Sequence, residues 1–223
     1  MQSPTPPQKA RTRERQREDT RQRIYDAAME IFRRDGFEAA RVDDVAKAAG
    51  VSHGTFYFHF ATKDEVLIQC LRASEIRVVA AIGEVPLDAG LVPALETTCA
   101  MIAREWEGDP QIFRDVGLVA LRYLFKGEVN HITAVLGGAS APSTSPPSPQ
   151  SLTSVALVSR FQTAAERGEV TRLLPPQVLA DLFLMNVFAA TLSWCAAPAG
   201  RPLGLILAGV VRLFLDGARG QLI

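Results

Sequence analysis

The chain has 223 residues, 48% of them hydrophobic, and its 24 basic side chains are balanced by 24 acidic ones. That apolar fraction is enough to bury a core and excludes disorder throughout, and the length suits one large or two small domains. Zero net charge gives no global attraction to nucleic acid or anionic lipid, so any such activity must come from local charge.

Local charge is found at the start. Before Ile24, Lys9, Arg11, Arg13, Arg15, Arg17, Arg21 and Arg23 stand against Glu14, Glu18 and Asp19, a net excess of four positive charges with no apolar side chain suited to a core. Residues 1–18 are expected to form a flexible basic arm or a solvated helix extension. They lack the apolar stretch of a signal peptide. Cys70, Cys99 and Cys195 form neither an even framework nor a CxxC pair, which favours a reduced, cytoplasmic setting without disulfides.

Strand-type alternation is missing over any useful length, whereas the 3.6-residue repeat recurs, so an all-α fold is expected. Ile24, Ala27, Ala28, Ile31 and Phe32 predict a first helix stopped by Gly36, and Val42, Val45, Ala46 and Ala49 a two-turn helix ended by Gly50. Ser52 can cap a third helix running to about His59. Thr62-Lys63-Asp64-Glu65 is a capping box opening a fourth, which Pro86 terminates. Leu95, Thr98, Cys99, Ile102 and Trp106 mark a fifth, and Asp109-Pro110 opens a sixth through Ile112, Phe113, Val116, Ala120, Tyr123 and Leu124.

Residues 139–151 contain four prolines and no charge and are expected to be a flexible loop. A helix from Leu152 to Arg167-Gly168 follows, then two apolar helices over roughly 176–197 and 202–217. Residues 182–199 carry no formal charge, but Asn186, Thr191, Ser193 and Pro198 interrupt them and no Lys/Arg cluster flanks them, so a buried helix is expected rather than a membrane span. The last helix carries Leu203, Ile206, Leu207, Val210, Val211, Phe214 and Leu215, a stripe that calls for a helical partner.

The most informative stretch is Val42 to Phe60. Small residues at Val45, Ala46, Ala49 and Val51, around a turn centred on Gly50, let two short helices cross closely, the arrangement that projects a second helix into a major groove about 12 Å wide. That second helix is expected to present Ser52, His53, Gly54, Thr55, Tyr57 and His59 outward, with Phe56 and Phe60 packed inward. Lys63, opening the next helix, is placed to meet a phosphate. His53 and His59 stand six apart on different helix faces with no cysteine or carboxylate to complete a metal site. No GxSxG, phosphate loop or Cys/His pair supports catalysis, so neither an enzyme nor a cofactor is expected.

The run Thr20-Arg21, Ile24, Ala27-Ala28, Phe32, Gly36-Phe37, Arg41-Val42, Val45-Ala46, Ala49-Gly50-Val51-Ser52, Gly54-Thr55-Phe56-Tyr57, Phe60 and Lys63 resembles the DNA-binding domain of TetR-family transcriptional regulators over roughly residues 19–68. The resemblance implies a helix-turn-helix domain at 19–68 followed by a larger helical regulatory and dimerisation domain at 69–223. It implies a homodimer bound to double-stranded operator DNA, most often a repressor released by a small effector. Thr55, Tyr57, His59 and Lys63 match family positions that contact DNA. Arg41 departs from a common capping threonine, yet can still bind phosphate, and His53 departs from a common Lys, Arg or Pro.

Trp106, Phe113, Tyr123 and Phe183 are candidate walls of a largely apolar effector cavity. Leu203, Ile206, Leu207, Val210, Val211 and Phe214 are candidate dimer contacts. An activator, a ligand-independent regulator and a cysteine-based redox sensor remain as alternatives.

Overall fold

A computed structural model describes residues 8–123, 151–197 and 200–218, and the chain divides after Gln69 into two units, each with its own core. Of the expected loop at 139–151, all but Ser151, which caps the following helix, lies outside the described residues, as do residues 1–7 of the expected arm. Among those described, all regular structure is helical.

The first unit holds α1 (Gln8–Asp35), α2 (Val42–Ala48), α3 (His53–His59) and the first turns of α4 (Lys63–Glu84). From residue 8 onward the arm is helical. No glycine, proline or β-branched run interrupts Gln8–Asp19, and the arginines, glutamates and glutamines there favour helix without needing burial. The core of this unit is Ile24, Ala28, Phe32, Phe37, Val45, Ala46, Phe56, Phe60, Val66 and Leu67. Phe32 and Phe37 meet edge to face, their centroids 5.1 Å apart.

The turn between α2 and α3 follows from one residue. Gly50 sits at φ +66°, which lets its N–H reach Lys47 O at 3.2 Å and the Val51 N–H reach Ala46 O at 2.9 Å. These two bonds close the helix in a left-handed cap that a residue with a Cβ adopts only at a cost.

The second unit contains the rest of α4, a 3-10 turn at Leu87–Ala89, α5 (Leu91–Trp106), α6 (Pro110–Tyr123), α7 (Leu152–Glu166), α8 (Pro176–Ala196) and α9 (Leu203–Ala218). α7 packs on α8 and α5, and α9 packs on α5 and α8. α6 lies close along α8 because Gly117 has no side chain: a Cβ there would stand 3.2 Å from Leu192. By length and composition α8 would also suit a membrane, but Leu179, Ala180, Phe183, Val187, Thr191 and Trp194 are buried within this unit.

Polar groups inside the second unit are placed where helix ends need them. The Arg160 guanidinium is buried and donates to the carbonyls of Pro86 at 2.8 Å, Ile82 at 3.1 Å and Val85, covering the end of α4. Ile82 O also accepts the Val85 N–H and Pro86 O the Ala89 N–H, each at 3.2 Å, so the guanidinium adds a charged donor where the helix dipole ends negative. At the start of α9, the Leu203 N–H donates to the Glu107 carboxylate at 2.9 Å.

The last helix corrects one expectation. Leu203, Leu207 and Val211 lie in the core of the chain's own fold, and the Phe214 ring meets Phe161 at 6.0 Å and Phe183 at 5.3 Å. These residues are therefore taken up within one protomer. Ile206 and Val210 are half-buried, and the outward face is Leu205, Ala208, Gly209, Arg212 and Leu213.

Candidate nucleic-acid interface

α3 is seven residues long, too short to be stable alone, and two contacts set its start. Ser52 is extended, and its hydroxyl accepts the Thr55 N–H at 3.1 Å, capping the helix as expected. The same oxygen lies 2.8 Å from Thr55 Oγ1. The Thr55 hydroxyl is thus held on the rim of the helix. Gly54, exposed in the first turn, leaves the backbone open to close approach.

His53 is fixed from α2. Its Nδ1 lies 2.6 Å from Asp43 Oδ1, and the Tyr57 ring packs against the imidazole with centroids 5.0 Å apart. A carboxylate is only an acceptor, so Nδ1 carries the proton and Nε2 is left to face solvent. Arg41 stands at the start of α2 without a side-chain capping bond, its guanidinium exposed and 4.0 Å from Asp43.

Tyr57 is 45% exposed and rests edge-on against the buried Phe56. Phe58 is 67% exposed, an unusual position for a phenylalanine and one that the sequence did not single out. Helical phase accounts for it: Phe58 lies two residues from both Phe56 and Phe60, hence on the opposite face. The Arg17 guanidinium sits 5.1 Å from its ring centroid.

His59 corrects the second expectation, because it is only 9% exposed and cannot offer its ring to a base. It follows Phe56 by three residues and precedes Phe60 by one, so the 3.6-residue period places it inward with them. Burial first, then the charges of Arg17 and Arg21, lower its pKa and favour the neutral imidazole. Arg21 packs 4.1 Å from the Phe60 ring centroid, donates to the His59 carbonyl and bonds Gln69 at 2.9 Å. This arginine joins α1, the end of α3 and α4.

Lys63 is held more firmly than its sequence position suggested. Its ammonium donates to Phe37 O at 2.8 Å and Glu38 O at 3.1 Å and lies 4.5 Å from the Phe37 ring centroid. An ammonium has three donors, so one remains for a phosphate. The resulting surface combines hydroxyls at Ser52, Thr55 and Tyr57, an oriented imidazole at His53, and cations at Arg17, Arg41 and Lys63. Such a mixture suits base edges and phosphates together.

The candidate effector residues do not form one wall. Trp106 and Phe113 meet edge to face at 5.1 Å, with Phe188 beside Phe113 at 5.9 Å, while Phe183 joins Phe161 and Phe214 in a separate cluster. Trp106, Phe113 and Phe183 are buried packing residues, and the Tyr123 side chain lies outside the described residues. Burial raises the Cys99 thiol to about 12 and raises that of Cys195 as well, so these two favour the unreactive thiol.

Comparison with known proteins agrees with this surface. Residues 24–70 match the family described as bacterial regulatory proteins, tetR family. The chain is 41% identical over 90 residues to the HTH-type transcriptional regulator SrpR of Pseudomonas putida, a match covering 40% of this chain and 36% of that protein. It therefore spans little more than a third of that relative's length.

Two solved structures share the fold. The FadR repressor of Thermus thermophilus in complex with lauroyl-CoA matches with a TM-score of 0.63 and 22% identity, over 91% of this chain and 97% of that one. FadR of Bacillus subtilis in complex with stearoyl-CoA matches with a TM-score of 0.62 and 19% identity, over 88% and 98%. The helix-turn-helix geometry and the family match agree over residues 24–70, which have the build of a tetR-family DNA-binding domain, and the chain as a whole shares the all-α fold of these two structures.

Proposed function

We propose that the chain acts as a homodimeric repressor that binds a roughly palindromic operator and leaves it when a small, largely apolar effector binds the second unit. The observation that carries the DNA-binding half is the oriented polar edge of α3: Ser52, His53, Thr55 and Tyr57 are exposed or half-exposed, and each is fixed by a neighbour. One seven-residue helix reads few bases. A two-fold dimer doubles the site and places half-sites about one DNA turn, roughly 34 Å, apart.

The roles divide by chemistry. His53 and Thr55 read base edges, Asp43 sets the His53 tautomer, and Tyr57, Arg41 and the free N–H of Lys63 bind phosphates. Footprinting on a selected duplex, followed by base-by-base substitution, tests this division. His53→Ala and Asp43→Asn should alter preference at the same base, by about 1–3 kcal/mol of discrimination for a full contact. Tyr57→Ala should weaken all sequences alike.

The dimer contact falls on the outward apolar residues of the last two helices: Leu205 at 69% exposure and Leu213 at 76% on α9, with Gly209 open between them and Met185 on α8. Leu213→Asp should give a monomer that no longer holds the palindrome, as read by sedimentation and mobility shift. A variant that stays dimeric would place the contact elsewhere. Phe214→Asp would instead test the core.

For the effector, long-chain acyl-CoAs are the first compounds to try, because two regulators of the same fold are seen in complex with lauroyl-CoA and stearoyl-CoA. An effector that prefers one arrangement of the dimer shifts the population away from the DNA-bound one. Release of operator in a mobility shift supports gating. Unchanged binding with every apolar compound tried would support a ligand-independent regulator.

A further inference from the structure

The family match begins at Ile24 of the first unit, whereas α1 begins sixteen residues earlier at Gln8. Within that extension, the side chains at 13–19 are all exposed, so the core does not account for that stretch. At 1.5 Å per residue the extension adds roughly 24 Å of helix. Arg13, Arg17 and Arg21 follow at four-residue steps on the stripe that Ile24 and Ala28 continue into the core, so the stripe faces the same way as the core contacts of α1. Arg21 reaches the end of α3, and Arg17, one turn earlier, lies over Phe58 on the exposed face of α3. Arg13 is one turn further out.

We infer that the extension of α1 is a second DNA-contacting element, in which Arg13 and Arg17 bind backbone phosphates flanking the bases that α3 reads. Its partner is duplex DNA rather than another acidic surface because the stripe is continuous with the proposed reading face: Arg17 and Phe58 are in contact. No carboxylate pairs with Arg13 or Arg17 among the described residues, although Glu14 and Glu18 run along the neighbouring stripe. A guanidinium stacked on a ring keeps its edge N–H groups free, so Arg17 can hold Phe58 and a phosphate oxygen together. The contacts add affinity and footprint length without reading sequence. This rests on the proposed operator binding, and its failure is separable from the failure of that proposal.

The test uses the full-length dimer on its selected operator with natural flanks. Arg13→Ala/Arg17→Ala removes two phosphate contacts per protomer, four per dimer, and should lower the magnitude of the salt slope by about 3–4. Between 50 and 200 mM salt the unaltered protein should then lose about a hundredfold more affinity than the variant. Hydroxyl-radical protection should disappear from the flanking sugars while the bases read by α3 stay protected. Arg13→Lys/Arg17→Lys should restore the slope. An Ala variant with unchanged helix content, slope and flanking protection would overturn the inference and leave the stripe a solvated face. Failure of the unaltered protein to select any duplex would instead overturn the operator proposal.

Discussion

The two units solve the problem of holding side chains in place by different means. In the first, most placements around α3 are individual polar contacts: Ser52 with Thr55, Asp43 with His53, Lys63 with two carbonyls, and Arg21 with the end of α3. In the second, position comes from apolar interdigitation of long helices, and polar groups such as Arg160 serve helix ends. A surface that must discriminate hydrogen-bonding partners needs donors and acceptors held rigidly in water, and only polar contacts leave those groups exposed. A core needs volume filled, and aromatic and aliphatic side chains do that at greater gain per residue.

Deleting volume should therefore harm the second unit most. Phe183→Ala removes a fully buried ring that meets Phe214, and should cost about 3–5 kcal/mol. Equilibrium denaturation measures this. A cost below about 1 kcal/mol would show that Phe183 faces a void and return it to the candidates for an effector wall.

Deleting a polar group from the same unit sharpens the comparison. Arg160→Met keeps much of the volume but leaves three carbonyls at the end of α4 without their charged donor, an expected loss of about 2–3 kcal/mol. If thermal and chemical melts show no loss, apolar packing alone holds that end.

Backbone conformation limits the first unit more than volume does. Gly50→Ala forces a Cβ into φ +66°, where the neighbouring space is open and the strain is conformational, so about 1–2 kcal/mol is expected. The loss should appear in melts of the protein together with weaker operator binding, because the turn sets the angle of α3.

The smallest effect is on pH dependence. The His59 pKa in the folded chain lies below its unfolded value of about 6.5. The unfolded chain then binds the extra proton first, so this contribution to stability is complete above about pH 6.5 and is lost as pH falls through that value toward the folded pKa. Melts from pH 7.5 to 5 should show a decline that His59→Gln reduces. An identical decline in the variant would assign the dependence to other groups.

The two corrections, at His59 and on α9, have different physical causes. The polar side chain of His59 points to the outer face of α3, whereas its spacing from Phe56 and Phe60 places it inside. For α3, strict use of the 3.6-residue period would have placed both His59 and Phe58. For α9 no such use of period would have sufficed. Leu203, Leu205, Ile206, Leu207, Val210, Val211, Leu213, Phe214 and Leu215 surround nearly the whole helix, so the sequence offers several apolar faces of similar quality.

The sequence by itself determined the features that depend on neighbours in the chain: helical class throughout, the stop at Gly50, the cap at Ser52, the opening at Thr62 and the break before Leu87. Each is decided by one or two residues acting over a single turn. Tertiary structure alone decided which face of α9 turns inward, that Arg160 would cover the end of α4, and that Lys63 would be held by Phe37 and Glu38. Those outcomes join residues about 25 to 110 positions apart, and helices apolar on several sides carry no local signal for which neighbour will cover which face. Packing against α5 and α8 breaks that near-equivalence, because only one rotation of α9 buries Leu203, Leu207 and Val211 together.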